Sequence, residues 1–580
     1  MTTILDLDVP RTLDELLSQL LARPPAHPVE AWLFDDGPSR RAAEETLAAA
    51  GVRARIRSAY KPLVHFFLEE VDISSLARVE IGYPVHATAD PHRFLIEAYP
   101  LAALLGDAEI SFHANELDLV YDVALTAKNG GTSTHAVFAP NVIEDDHVGR
   151  PVLRCCGWRR AVGIADSGQR LKTDFEILFL AAVDAVKQHP WERRHPYFDR
   201  LRITVDLPAD DLALDFFSES ISLREAMHED LFFAVRECLN ADMGAMADRE
   251  ARPGQVVPDI RAAKGSPRIV ITVEDFGEHD ETTGPDIAIK TADRPLKIGQ
   301  IRRELSKIGG EPISAVSLEG RDVLGRYRKG TGPAIFISSG QHANETSGPV
   351  GALRAAQVLA ADPDAHFAIV PVENVDGYEL HQRLIVENPL HMHHAARYSA
   401  FGDDISFSVS TLAYERDART AALGMSSAKL HLNLHGYPSH EWTRPMSGYL
   451  PRGYELWTIP KGFFLILGVH PGWEAIGDAL LDEVARRLAE DEDLVAANAR
   501  QLACVKVHMP NAPFEIRYGI PCISVVGMRY QAPLTIVTEA ADETVYGQTF
   551  VDCHEAQTRT VLYAIEAYRR LAEDGAFPTA

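Results

Sequence analysis

From Ala334 to Leu571, short apolar runs of strand length alternate with longer amphipathic stretches, which restricts this part of the chain to an α/β architecture. Ala334–Ser338 (AIFIS), Phe367–Val372 (FAIVPV), Lys429–Leu434 and Leu534–Thr538 read as strands. Pro349–Leu359 reads as a helix that offers Val350, Leu353 and Val358 to an inner face. Trp473 to about Arg500 and Thr549–Leu571 read as two more helices. Strands separated by helices pair largely in parallel and carry helices on both faces. The spacing therefore predicts a largely parallel sheet with helices on both faces.

The first half lacks this rhythm and reads as a mixed α+β domain. Helices are expected over Thr12–Arg23, from an N-cap at Ser39 to a stop at Gly51, and over Asp174–Gln188 and Ser222–Asn240. Between about Ala77 and Gly163, β-branched and aromatic residues and short turns dominate, with Asn129-Gly130 as a hairpin signal. Residues 251–295 are rich in Gly, Pro and charge, although RIVITVEDF within them looks like a strand. The expected organisation is an accessory domain over 1–250, a linker or long surface loops over 251–295, and a catalytic domain over 296–580.

Composition removes several classes of function. A chain of 580 residues has room for two or more cores. Its net charge of −26 repels a phosphate backbone, so nucleic acid is not an expected partner. The longest apolar runs, such as Phe463 to Val469, are too short to span a bilayer, and the amino terminus has neither a basic start nor a continuous apolar stretch. Six cysteines are scattered without CxxC spacing, which suits buried thiols in a reducing compartment. A cytoplasmic protein without a membrane partner is expected, with a homo-oligomer left open.

The chemistry concentrates at strand ends. In IFISSGQHANETSGP, a strand closes, a glycine turns the chain, and His342 and Glu345 follow three positions apart. In open α/β sheets, sites gather at the carboxyl ends of strands. An imidazole and a carboxylate so spaced can converge on one ion, and a catalytic zinc commonly takes two His and one Glu. KLHLNLHGYPSHEW offers a third ligand, because His435 ends a period-two strand and Gly436 begins the turn. His431 shares that face deeper in the strand and reads as a hydrogen-bonded core residue. His440 and the His391, His393, His394 group read as cleft or surface residues. LTIVTE places Glu539 at another strand end, where a carboxylate can serve as base.

Taken in order, these motifs resemble the M14 zinc carboxypeptidases. SLEGRDVLGRYRKGTGPAIFISSGQHANE, VENVDGY, the strand-ending His435 and the closing TE carry the resemblance, which covers roughly Leu296 to Ala580. It implies a three-layer α/β/α domain around a central mixed, largely parallel sheet, with one zinc per chain held by His342, Glu345 and His435, Glu539 as general base and acid, and a nearby arginine stabilising the oxyanion. Two motifs depart from the family pattern. NPDG becomes Asn374-Val375-Asp376-Gly377, and ENPLHMHHAARYSAFGDDISF stands near the place of the DxNRNF segment that supplies an Asn-Arg pair for the substrate carboxylate. Arg397, then Arg383, are candidates for substrate or oxyanion contact, or equally for ion pairs with Asp403, Asp404 or Glu387. Tyr518 is a candidate for the family's substrate-binding tyrosine.

The expected activity is cleavage of an amide bond in a peptide or an acylated amino acid. The interval from Glu345 to His435, about ninety residues, is closer to the aspartoacylase and succinylglutamate desuccinylase deacylases, a second reading. A third, of another class, is a metal-bearing binding protein without hydrolase activity.

Overall fold

The computed structural model describes residues 1–165, 167–192, 196–243, 252–277, 281–406, 414–510, 512–527 and 530–577. The first half contributes β1 (Thr2–Asp8), α1 (Thr12–Ala22), α2 (Gly37–Ala49), the hairpin β2 (Val120–Ala127) and β3 (Thr132–Phe138), and α3 (Asp174–Gln188). It continues with β4 (Arg200–Leu207), α4 (Leu223–Met243), β5 (Gln255–Ala262) and β6 (Arg268–Glu274). Asn129-Gly130 lies in the β2–β3 turn, as its sequence suggests. The cap of α2 is Asp36 rather than Ser39: its carboxylate accepts the Ser39 N–H at 2.7 Å, and Pro38 sits in the first turn.

Residues 251–295 are not simply linker or surface loops, because β5 and β6 lie within them. These two strands complete a four-stranded sheet of order β1-β6-β4-β5. The punctuation of the sequence misleads here for a physical reason. Pro258 stands on the edge strand β5 opposite Ile203, where a missing N–H interrupts no ladder on the outer side. Most of β5 is buried, and β6 buries Ile269 and Ile271 completely.

The second half forms a nine-stranded sheet from β7 (Glu311–Val316), β8 (Asp322–Arg328), β9 (Ile335–Ser339), β10 (Phe367–Val370), β11 (Leu430–Pro438), β12 (Phe464–Val469), β13 (Glu515–Arg517), β14 (Ile520–Val526) and β15 (Leu534–Glu543). Its order is β7-β8-β10-β9-β11-β15-β12-β14-β13. The four adjacent strands β10, β9, β11 and β15 are parallel, as are β12 and β14. The other pairings are antiparallel, so the sheet is mixed, with its parallel character confined mainly to the centre. Every residue of β11 is buried, so both faces are covered there.

The helices are α5 (Ser347–Leu359), α6 (Val375–Glu387), α7 (Arg416–Ser426), α8 (Glu474–Leu488), α9 (Glu492–His508) and α10 (Gln548–Glu573). α10 packs on α5 and α8, and α7 packs against β7 to β10. Val350 and Leu353 are fully buried, but Val358 is exposed. Five residues beyond Leu353 is about 140° round the helix, away from the sheet. The single helix expected from Trp473 is two, because Asp491 caps α9 by accepting the Leu494 N–H at 3.1 Å.

Candidate active site

β9 ends at Ser339, and Gly340 takes φ +62 with the Val372 backbone close behind it, so the chain can turn back over the sheet. That turn carries His342 and Glu345 above the carboxyl ends of the parallel strands. His435 arrives on β11, and β15 runs beside it in a register that places Glu539 directly opposite His435. Three strand ends thus deliver four side chains to one point.

Among the described residues, His342, Glu345 and His435 are the group whose donor atoms lie within 4.8 Å of one another as a metal site requires. His342 Nδ1 is 2.8 Å from Glu345 Oε1, His435 Nδ1 is 2.8 Å from Glu345 Oε2, and the two Nδ1 atoms are 3.0 Å apart. Two imidazole nitrogens and a carboxylate converging in a buried pocket are the donor set of a catalytic zinc, and they fit it. Outer contacts fix the set. His342 Nε2 lies 3.4 Å from Asp404 Oδ1, and the Gly436 N–H donates to Glu345 Oε2 at 3.1 Å.

Charge is distributed unevenly. Burial works to raise the Glu345 carboxyl, but the flanking His342 and His435 overcome it and hold the group below its ordinary range. Glu539 is pushed well above its ordinary range, first by burial and then by the charge of Glu345. Arg397 Nη1 donates to Glu345 Oε1 at 3.0 Å, and its Nη2 is 3.9 Å from Asp404. The Asp404 ion pair foreseen for Arg397 is therefore present, beside the metal-ligand candidates.

A cavity of about 410 Å³ opens on this group. Glu539, Arg397 and the three donor residues line it, with Gln341, Arg416 and Arg419 on one side and Tyr437, Trp442, Tyr454 and Trp457 on another. Ile466, Ile523, Val525 and Val537 add aliphatic lining from β12, β14 and β15.

Two expected site residues lie elsewhere. Arg383 is on α6, within electrostatic reach of Arg200, and does not line the cavity. Tyr518, 52% exposed, sits in the β13–β14 turn with its hydroxyl donating to Asp482. Its position before Glu539 in sequence does not translate into proximity, because the turn that carries it leaves the edge strand β13, and its side chain faces solvent. Tyr530 lines the cavity instead.

Among the histidines, His431 is buried and hydrogen-bonded as read, with Nε2 2.8 Å from Ser338 Oγ and its ring on Phe336, and it also reaches the cavity lining. His391, His393, His394 and His440 are all buried, and of these four His394 lines the cavity. They are not surface residues, because the first half packs over them. Spacing alone carries no signal for Arg419, which pairs with Glu373, or for the cavity residue Glu543, which accepts from Asn344 at 2.6 Å.

Residues 294–405 match the family model of the zinc carboxypeptidase, Peptidase M14. This segment carries the sequence pattern of that family. The match includes His342, Glu345, Arg397 and Asp404 and stops before His435 and Glu539, which the sheet brings to the same point. The match supports a metal-dependent peptide hydrolase with zinc as its metal. No curated protein matches the chain.

Among solved structures, a metallo-carboxypeptidase from Pseudomonas aeruginosa in complex with (2-guanidinoethylmercapto)succinic acid is 15% identical. The alignment covers 55% of this chain and 77% of that one, with a TM-score of 0.29. A metallo-carboxypeptidase from Burkholderia cenocepacia is 13% identical, covering 54% and 77%, with a TM-score of 0.28. Bovine thrombin-activatable fibrinolysis inhibitor, in complex with tick carboxypeptidase inhibitor, is 10% identical, covering 49% and 99%, with a TM-score of 0.31. Scores this low leave the family match as the finding with weight.

Proposed function

We propose that His342, Glu345 and His435 hold the zinc and that the cavity cleaves an amide bond in a peptide or acylated amino acid. The convergence of three donors beside Glu539 carries this reading. When bound there, zinc supplies Lewis acidity toward a carbonyl and toward water. Glu539 takes the proton from the attacking water and returns it to the departing nitrogen, a role suited to a buried carboxyl with a raised proton affinity. Arg397 orients the scissile carbonyl. Its Nη1 and Nη2 are held by Glu345 and Asp404, which fixes the guanidinium at the cavity wall. Gln341, Arg416 and Arg419 are among the polar groups that line the space for the rest of the substrate.

A screen of peptides, C-terminally blocked peptides and N-acyl amino acids tests the reading. Turnover of free-carboxyl peptides alone marks exopeptidase action, and turnover of N-acyl amino acids alone marks the deacylase reading. The protein should carry about one zinc per chain, the stoichiometry of a three-ligand site. Zinc content unaffected by both His342→Ala and His435→Ala would remove these residues from the metal centre.

A further inference from the structure

We propose that Glu225, on α4 of the first half, is a positioning residue for the aromatic and cationic wall of the catalytic cavity. The inference rests on the hydrolase reading above, because the wall it holds carries Arg397.

One face of α4 turns toward the site. Glu225, Glu229, Phe232 and Phe233 recur at the spacing of adjacent helical turns. Glu225 accepts the Met392 N–H at 2.7 Å, and its two oxygens lie 2.8 and 2.7 Å from His440 Nε2. Met392 begins the segment that carries His394 and Arg397, while His440 stands between Pro438 and Trp442. All four of those side chains line the cavity. One buried carboxylate therefore ties together two segments that approach the substrate space from different parts of the chain.

Neighbouring residues continue the contact. Glu229 Oε2 lies 3.0 Å from His394 Nδ1, and the Phe233 ring packs on His394 at 4.7 Å and on Trp442 at 5.8 Å. His440 is held from its other side, with Nδ1 3.0 Å from Thr544 Oγ1 just beyond β15. A carboxylate buried this deeply is costly unless every partner is in place, so the arrangement favours one relative position of the two segments. Glu225 reaches none of the three zinc-ligand candidates, so its effect on the site passes through the wall and not through the metal.

The test uses full-length, zinc-loaded protein and the variants Glu225→Ala and Glu225→Gln, followed by hydrogen exchange and mass spectrometry. Glu225→Ala should speed exchange about tenfold in peptides covering residues 391–397 and 438–444, with zinc content and the β11 core unchanged. Glu225→Gln, whose amide oxygen can still accept the Met392 N–H, should fall between the two.

On a substrate found in the screen, Glu225→Ala should lower kcat, and combining it with Arg397→Lys should cost no more than the worse single change. Wild-type exchange in both segments would overturn the proposal. So would faster exchange spread evenly through the sheet in both variants, a kcat within about threefold of wild type, or fully additive losses. If the wild type turns over no peptide or acylated amino acid, the hydrolase reading fails, and the exchange result alone decides whether Glu225 holds the wall.

Discussion

Glu539 shows how one residue's environment can serve a role its sequence position only hints at. It ends a strand in sequence, as many solvated glutamates do. In the fold it is buried opposite His435, near the charge of Glu345, and its proton affinity is raised. Glu539→Gln should keep zinc and lose about 10²- to 10⁴-fold in kcat, measured against metal content on the same sample, because proton transfer and ligation are separate roles. Full activity in that variant would take Glu539 out of the mechanism.

His508 gives a prediction for stability. Its Nδ1 is 3.0 Å from the Leu95 carbonyl and its Nε2 accepts the Ala102 N–H, so a neutral ring joins the two halves. Burial pushes it from 6.5 down to about 4. Between these values the unfolded chain binds more protons, so this contribution is fully present above pH 6.5 and is lost as the pH falls toward 4. The loss amounts to about 3 kcal/mol at most. Denaturant titrations of wild type and His508→Gln should therefore converge or cross by that amount over the window. A stability difference independent of pH would refute the assignment.

Among the elements, β11 carries the most information per residue. The alternation of Leu430, Leu432 and Leu434 with His431, Asn433 and His435 shows a strand and the face its histidines share. What it does not show is why glycine follows His435. A Cβ at Gly436 would overlap the Asp542 carboxylate on β15 and crowd the Ala540 carbonyl, while the Gly436 N–H must reach Glu345. Gly436→Ala should cost about 1 to 3 kcal/mol by thermal unfolding and weaken zinc retention against a chelator. Unchanged retention would mean that the Glu345 contact is dispensable. The split of the expected long helix into α8 and α9 belongs to the same scale, because periodicity continues across a break that only the cap at Asp491 marks.

For the whole molecule, the core of the first half extends into the second, which also has a core of its own. Residues of the first half, including Phe232 and Phe233, cluster with Met392, Tyr398, Trp442 and Tyr454 of the second. Ion pairs cross the same boundary: Lys61 meets Glu441 in full burial, and the half-buried pairs Arg444–Glu237 at 2.8 Å and Arg252–Asp403 at 2.7 Å join it. Residues 296–580 expressed alone would expose this aromatic and charged face, and should appear in the insoluble fraction or melt without cooperativity. A soluble fragment with a sharp calorimetric transition would show that the halves fold independently. No helix among the described residues is long and apolar enough to cross a membrane.

By itself the sequence determined the α/β rhythm of the second half and placed His342, Glu345, His435 and Glu539 at strand ends, because periodicity and turn residues are local signals. It also contained the carboxypeptidase motif within residues 294–405. Only the tertiary structure decided that Arg397 joins the site while Arg383 and Tyr518 do not, that residues 255–274 build a sheet rather than a linker, and that α4 stands behind the cavity wall. Those outcomes depend on contacts between residues far apart in the chain, such as Glu225 with Met392 and His440, and no local pattern of residues encodes such a pair.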